Sequence, residues 1–169
     1  MIFVAVTANS QVFNTGSTLK QGHFSIGLNP AYHSGGPSDE LNMYFHGGFG
    51  IKSGLDISVK LGIGHANYIG ADVEWALGRR FSLTTGIHDF EDFGLDGTIN
   101  ITFPITNEAN LYTGLDLDLI FSDELKVPIW LPLGIGIGLR SSVEFILEAE
   151  IGLNDPGYHI ISGGLNIYF

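Results

Sequence analysis

Two stretches decide the fold: Leu55–Ile63, LDISVKLGI, and Ile69–Leu77, IGADVEWAL. In the first, Leu55, Ile57, Val59, Leu61 and Ile63 alternate with Asp56, Ser58, Lys60 and Gly62. In the second, Ile69, Ala71, Val73, Trp75 and Leu77 alternate with Gly70, Asp72, Glu74 and Ala76. A period of two puts one set on each face of a β-strand. Both apolar faces are free of charge. The runs match the ~9–11 residues that a tilted strand needs to cross a bilayer.

The same pattern extends in both directions. Upstream, Phe24, Ile26 and Leu28, then Leu41, Met43, Phe45 and Phe49, form apolar faces. Downstream, such faces continue through Phe81–Ile87, Leu95–Phe103, Leu111–Phe121, Ile129–Leu139, Val143–Ile151 and Ile161–Phe169. The reading is an all-β, closed, antiparallel up-and-down transmembrane barrel of about ten strands. Pro30 and Pro132 fall inside proposed strands, where a closed barrel has no edge to hold them. Bulges are expected there, or boundaries of the first and eighth strands nearer the membrane than drawn, and eight or twelve strands stay open.

The breaks between runs also differ by side. Lys52-Ser53-Gly54, Gly78-Arg79-Arg80, Thr106–Asn110 and Arg140-Ser141-Ser142 read as tight turns. His33–Glu40, His88–Asp92, Ser122–Lys126 and Asn154–Tyr158 read as longer acidic loops. Such asymmetry is typical of membrane barrels. Phe24, Phe49, Trp75, Phe81, Phe103, Phe145 and Phe169 gather toward the tight-turn end, as an interfacial girdle would.

Composition sets further bounds. The 169 residues carry 7 Lys+Arg against 18 Asp+Glu, a net charge of −11. Nucleic acid is therefore excluded as a partner, since its binding needs a basic surface. Charged residues make up only 15%, below the ~25% of soluble domains. There is no cysteine, which removes disulfides, thiol chemistry and cysteine-based zinc sites. No apolar run is long enough for a membrane helix.

The domain reading has three parts. Residues 1–10 read as a truncated signal peptide, with Ala8-Asn9-Ser10 as its cleavage site. Residues 11–21 form an N-terminal periplasmic segment, and residues 22–169 the barrel.

The final strand, Ile161-x-Gly163-x-Leu165-x-Ile167-Tyr168-Phe169, resembles the C-terminal signal of the Gram-negative outer-membrane β-barrel superfamily. The resemblance covers nearly the whole chain beyond the leader and points to no subfamily. It implies export to the bacterial outer membrane and contact with its lipid. It also implies recognition by the barrel-assembly machinery through Leu165, Ile167 and Phe169.

Candidate functional residues lie mainly on the inner face. By phase, Asp56, Asp72, Glu74, Asp96, Asp116, Asp118, Glu144, Glu148 and Glu150 point inward, with Lys60 nearly alone against them. Asp72, Glu74, Asp116, Asp118, Glu148 and Glu150 form the acidic lumen set. Gly134, Gly136 and Gly138 lie between two acidic strands and are expected to leave a groove free of side chains. One reading is a narrow pore preferring small cations. The other is a solvated filling neutralised in part by Lys60 and Arg140.

His33, His65, His88 and His159 fall at loop-side strand ends near acidic residues, but their spacing matches no metal motif. No metal or other cofactor is expected. No nucleophile, base and orienting group emerge together, so the chain reads as non-catalytic: a structural or surface-interaction barrel, or a narrow pore. The alternative is an outer-membrane enzyme. It would be either a rim hydrolase using His88-Asp89 with Asp39, or a lipid-modifying barrel using a pair such as His33-Ser34.

Overall fold

A computed structural model describes residues 17–35, 40–64, 67–90, 92–155 and 157–169. The alternating runs form ten long strands: β1 Phe24–Ser34, β2 Glu40–Lys52, β3 Leu55–Ile63, β4 Tyr68–Ala76 and β5 Phe81–Phe90. They continue as β6 Asp92–Pro104, β7 Ala109–Phe121, β8 Ile129–Arg140, β9 Val143–Gly152 and β10 His159–Tyr168. Each pairs antiparallel with its neighbours in sequence, and β1 pairs with β10 to close the ring. A two-residue ladder, Leu125–Lys126, folds back onto the end of β7. Closure leaves no strand edge unpaired, which the hydrocarbon core of a bilayer demands.

Burial is inverted relative to a water-soluble sandwich. Val59, Ile63, Ile69, Ile87, Ile99, Leu115, Leu147 and Ile161 stand exposed on the outer face, while Asn29, Asp56, Ser82, Thr84, Asn100 and Asn166 are completely buried inside. Soluble monomers keep exposed apolar patches to a few hundred Å². An apolar face running round the whole ring calls for lipid. Phe24, Trp75, Phe81, Phe103 and Phe169 are exposed at the tight-turn end, and Phe24 stacks near Phe49 at 4.7 Å between ring centroids. A second group stands near the opposite end: Tyr32, Phe93 and Phe121, the last two 6.0 Å apart.

Three expectations are corrected. First, neither proline makes a bulge. The β1–β10 register is the same before and after Pro30, from Leu28↔Leu165 to Ala31↔Ser162. The β7–β8 register is likewise the same on either side of Pro132, from Thr113↔Leu133 to Asp116↔Trp130. The ladder simply lapses where proline has no N–H to give. The Thr113 hydroxyl donates to the Pro132 carbonyl at 2.9 Å within that lapse. Register shifts occur instead beside two tight turns, at Gly50/Lys52 and Val143/Glu144.

Second, His88–Phe90 and Asp92 belong to strands rather than to a loop. β5 runs to Phe90 and β6 starts at Asp92, with pairing continuous through Asp89↔Phe93. Third, the glycines of β8 do not leave an open groove. A Cβ on Gly134 would lie 2.1 Å from the Tyr112 ring, and one on Gly136 would lie 2.4 Å from Glu144 Oε1. These glycines admit side chains of neighbouring strands.

The leader proposed for residues 1–10 lies outside the described residues. The last part of the N-terminal segment does not: Leu19 is buried, and its N–H donates to Asp56 Oδ2 at 2.6 Å. The Lys20 carbonyl packs so close to Gly50 that a Cβ there would come within 2.0 Å. This last part, residues 17–21, thus tucks into the tight-turn end of the barrel. Gly50→Val should dislodge it, because backbone rather than a mobile side chain occupies the space. The expected readout is faster proteolysis before residue 23, with the barrel still resisting protease.

Candidate functional site

The interior divides into two halves. Toward the tight turns it is filled: Leu19, Asp56, Glu74, Glu144, Ile146 and Asn166 are all buried. The Tyr168 hydroxyl donates to Glu144 Oε2 at 2.6 Å, and Asn166 Nδ2 donates to Tyr168 Oη at 3.4 Å. Toward the loops, between the walls of β1–β10, lies a cavity of about 150 Å³.

The floor and walls of this cavity are acidic. Asp96, Asp116, Asp118, Glu148 and Glu150 line it, with Lys60 as the lining ammonium. Lys60 Nζ is already committed, 2.6 Å from Asp72 Oδ2, which also accepts from the Ser58 hydroxyl at 3.0 Å. Thr98 donates to Asp116. His88 bridges two carboxylates: its Nδ1 lies 3.3 Å from Asp96 Oδ2 and its Nε2 lies 3.7 Å from Asp118 Oδ2. The Tyr112 hydroxyl donates to Glu148 Oε2 at 2.6 Å. Asp118 Oδ1 and Glu148 Oε1 are buried with no N–H or O–H donor on them among the described residues.

The upper walls are aromatic. His33 stacks against Tyr158 at 5.3 Å, Tyr44 at 6.1 Å and Phe90 at 6.3 Å between centroids. Tyr68 meets Tyr44 edge-on at 5.6 Å and stacks on His88 at 5.7 Å. Trp130 meets Tyr158 edge-on at 5.7 Å, and its indole N–H donates to the Tyr158 carbonyl at 2.8 Å. The rim above is tied by Asn154, which accepts from the Ile129 N–H and donates to the Val127 carbonyl, both at 2.8 Å. This collar therefore belongs to a pinned rim.

The six acidic residues of the lumen set do not act as one group. Asp116, Asp118, Glu148 and Glu150 meet at the cavity, Asp72 stands beside it on Lys60, and Glu74 is buried in the filled half. Leu165 and Phe169 stand exposed on the outer face, and Ile167 shares that face. Among the described residues the histidines are not gathered into a rim metal cluster. His33 and His88 are buried in the collar, and His159 Nδ1 accepts from the Gly152 N–H at 3.2 Å. His65 lies outside the described residues, which hold no group of three or more His, Asp or Glu arranged for a metal.

The His88-Asp89 pair is also split. His88 points into the lumen while Asp89 is exposed on the other face, as strand alternation requires. Asp39 lies outside the described residues. The collar itself (Tyr44, Tyr68, Phe90, Trp130 and Tyr158) escaped the sequence reading. Its signal was parity: Phe90 follows Thr84 and His88 at even spacing, and Tyr44 precedes His46 in the same way.

No family model matches the chain, and no curated protein is similar to it in sequence. Solved structures are similar in fold. The KdgM porin matches with a TM-score of 0.51 and 11% identity, over 86% of this chain and 99% of that one. A structure from the de novo design of transmembrane β-barrels matches with a TM-score of 0.50 and 9% identity, over 89% and 98%. The N-terminal β-barrel domain of OprF from Pseudomonas aeruginosa also matches, with a TM-score of 0.41 and 13% identity. With its inverted faces and ring of ten antiparallel strands, the chain has the fold of the small transmembrane β-barrels of the outer-membrane type.

Proposed function

We propose that this chain is a non-catalytic outer-membrane barrel with a closed bore, which meets its surroundings through the recess at its loop end. The observation that carries this reading is the contrast between the halves. Asp56, Glu74, Glu144 and Asn166 fill the tight-turn half at 0–2% exposure, whereas the loop half keeps a cavity of about 150 Å³. Small barrels commonly fill their interior with their own side chains. The separation of His88 from Asp89 counts against the rim hydrolase read from the sequence, since His88 faces Asp96 and Asp118 inside the lumen while Asp89 faces away.

Planar-bilayer recording tests the bore. The expected result is the absence of stable conductance steps. Regular open-channel steps would reject the closed bore and favour a narrow pore. The acidic set favours cation selectivity for that second reading, since carboxylates facing a low-dielectric wall focus a negative potential.

Phe169, with Leu165 and Ile167, serves as the assembly signal in this proposal. Deleting Phe169 should leave refolding in detergent unchanged but lower the amount of barrel inserted in cells severalfold. Equal insertion of the shortened chain would reject that role.

A further inference from the structure

We infer that the loop-end cavity binds a small organic ammonium ion, with N–H donors at its charged end and an apolar body. This rests on the closed-bore reading above and adds the class of ligand. Three features of the cavity converge on it. The first is a one-sided lining: five carboxyl groups face the space, and the one lining ammonium, Lys60, is held by Asp72 outside that set.

The second is unmet hydrogen-bonding capacity. Glu148 is 3% exposed, yet its Oε1 accepts from no backbone N–H, hydroxyl, amide or ammonium among the described residues, and neither does Asp118 Oδ1 two strands away round the wall. Buried carboxylate oxygens are costly to leave without donors. A bare metal ion would need three or more converging ligands, which the described residues do not arrange. An ammonium needs fewer and brings its own protons to the acceptors.

The third is the aromatic collar. The rings of Tyr44, Tyr68, Phe90, Trp130 and Tyr158 line the cavity above the carboxylates. Ring faces attract cations and accept apolar carbon. A strongly hydrated inorganic ion would gain little from them. The Trp130 N–H and the Asn154 clasp fix the rim before any ligand arrives, which lowers the ordering cost of binding. The arrangement places charge below and carbon above, within a volume that fits a compact amine rather than a polymer.

The test is a titration of the refolded full chain followed by Trp130 fluorescence. Trp75, which faces lipid, is replaced by Phe so that one indole reports. The probes are benzylamine, benzyl alcohol, benzyltrimethylammonium and potassium chloride. Benzylamine should bind saturably and at least tenfold more tightly than benzyl alcohol or benzyltrimethylammonium, which lack charge and N–H donors respectively. Potassium chloride at matched ionic strength should not saturate the signal. The double variant Asp118→Asn, Glu148→Gln should weaken benzylamine at least tenfold. Tyr158→Ala, outside the strands, should weaken it too and keeps the proposal testable if the double variant fails to refold. Equal binding of the alcohol or the trimethylammonium probe would overturn the inference, as would no benzylamine binding or an undiminished affinity in both variants. None of these outcomes depends on conductance, so a failed titration and an open bore are separate results.

Discussion

Val59→Arg is expected to destabilise the barrel in lipid vesicles by about 2–4 kcal/mol, the cost of an arginine on the lipid face near the bilayer midplane. Val59 stands 58% exposed at the centre of β3, and its neighbour Lys60 points the other way, onto Asp72. One strand therefore carries a native charge inside and tolerates none outside. Ile63→Arg, at the loop end of the same face, should cost only about 0–1 kcal/mol because the side chain can reach the interface. Urea unfolding in vesicles measures both. Equal, small effects at the two positions would show that water, not lipid, covers this face.

Gly134→Val is expected to cost about 1–3 kcal/mol through overpacking, and Tyr112→Ala in the same chain should recover part of it. A Cβ at Gly134 would meet the Tyr112 ring at 2.1 Å. That ring is 3% exposed and tethered to Glu148 by its hydroxyl, so it has no free space to move into. The variant strikes the link between fold and cavity, since Tyr112 holds Glu148 in the wall. A double-mutant cycle on detergent-refolded protein gives the coupling. Simple additivity would mean that Tyr112 does not occupy the space above Gly134.

The architecture was readable because lipid demands apolar residues on the outer face of each strand, while the inner face is mostly polar or small, Ile146, Phe90 and Trp130 being exceptions. Strand 3 shows it without exception, from Leu55 to Ile63. The prolines misled because a bulge is only one answer to a missing N–H. At Pro30 and Pro132 the ladder lapses on one side and keeps its register. The glycines of β8 misled for a related reason. Sequence shows where a side chain is absent but not which neighbour moves in, and Tyr112 and Glu144 lie on different strands from the glycines they cover.

The cavity was half visible. Its carboxylates follow from parity along β6, β7 and β9. The aromatic collar sits at strand ends, where parity is hard to separate from loop. β5 illustrates this: its polar end, His88-Asp89-Phe90, looks like a break but continues the ladder to Asp92. His88 then becomes a bridge between Asp96 and Asp118 rather than a rim residue.

The claim on which everything rests is that the outer face meets lipid and the inner face does not. The chain has no cysteine, so single cysteines at Ile57, Ser58, Val59, Lys60 and Leu61 can each carry one spin label. Collision rates with oxygen and with a water-soluble nickel chelate, measured in vesicles, report which face each label meets. Oxygen accessibility should peak at positions 57, 59 and 61 and fall at 58 and 60, with the nickel chelate excluded from the first set. Nickel access at 57, 59 and 61, or no alternation along the strand, would contradict a transmembrane barrel.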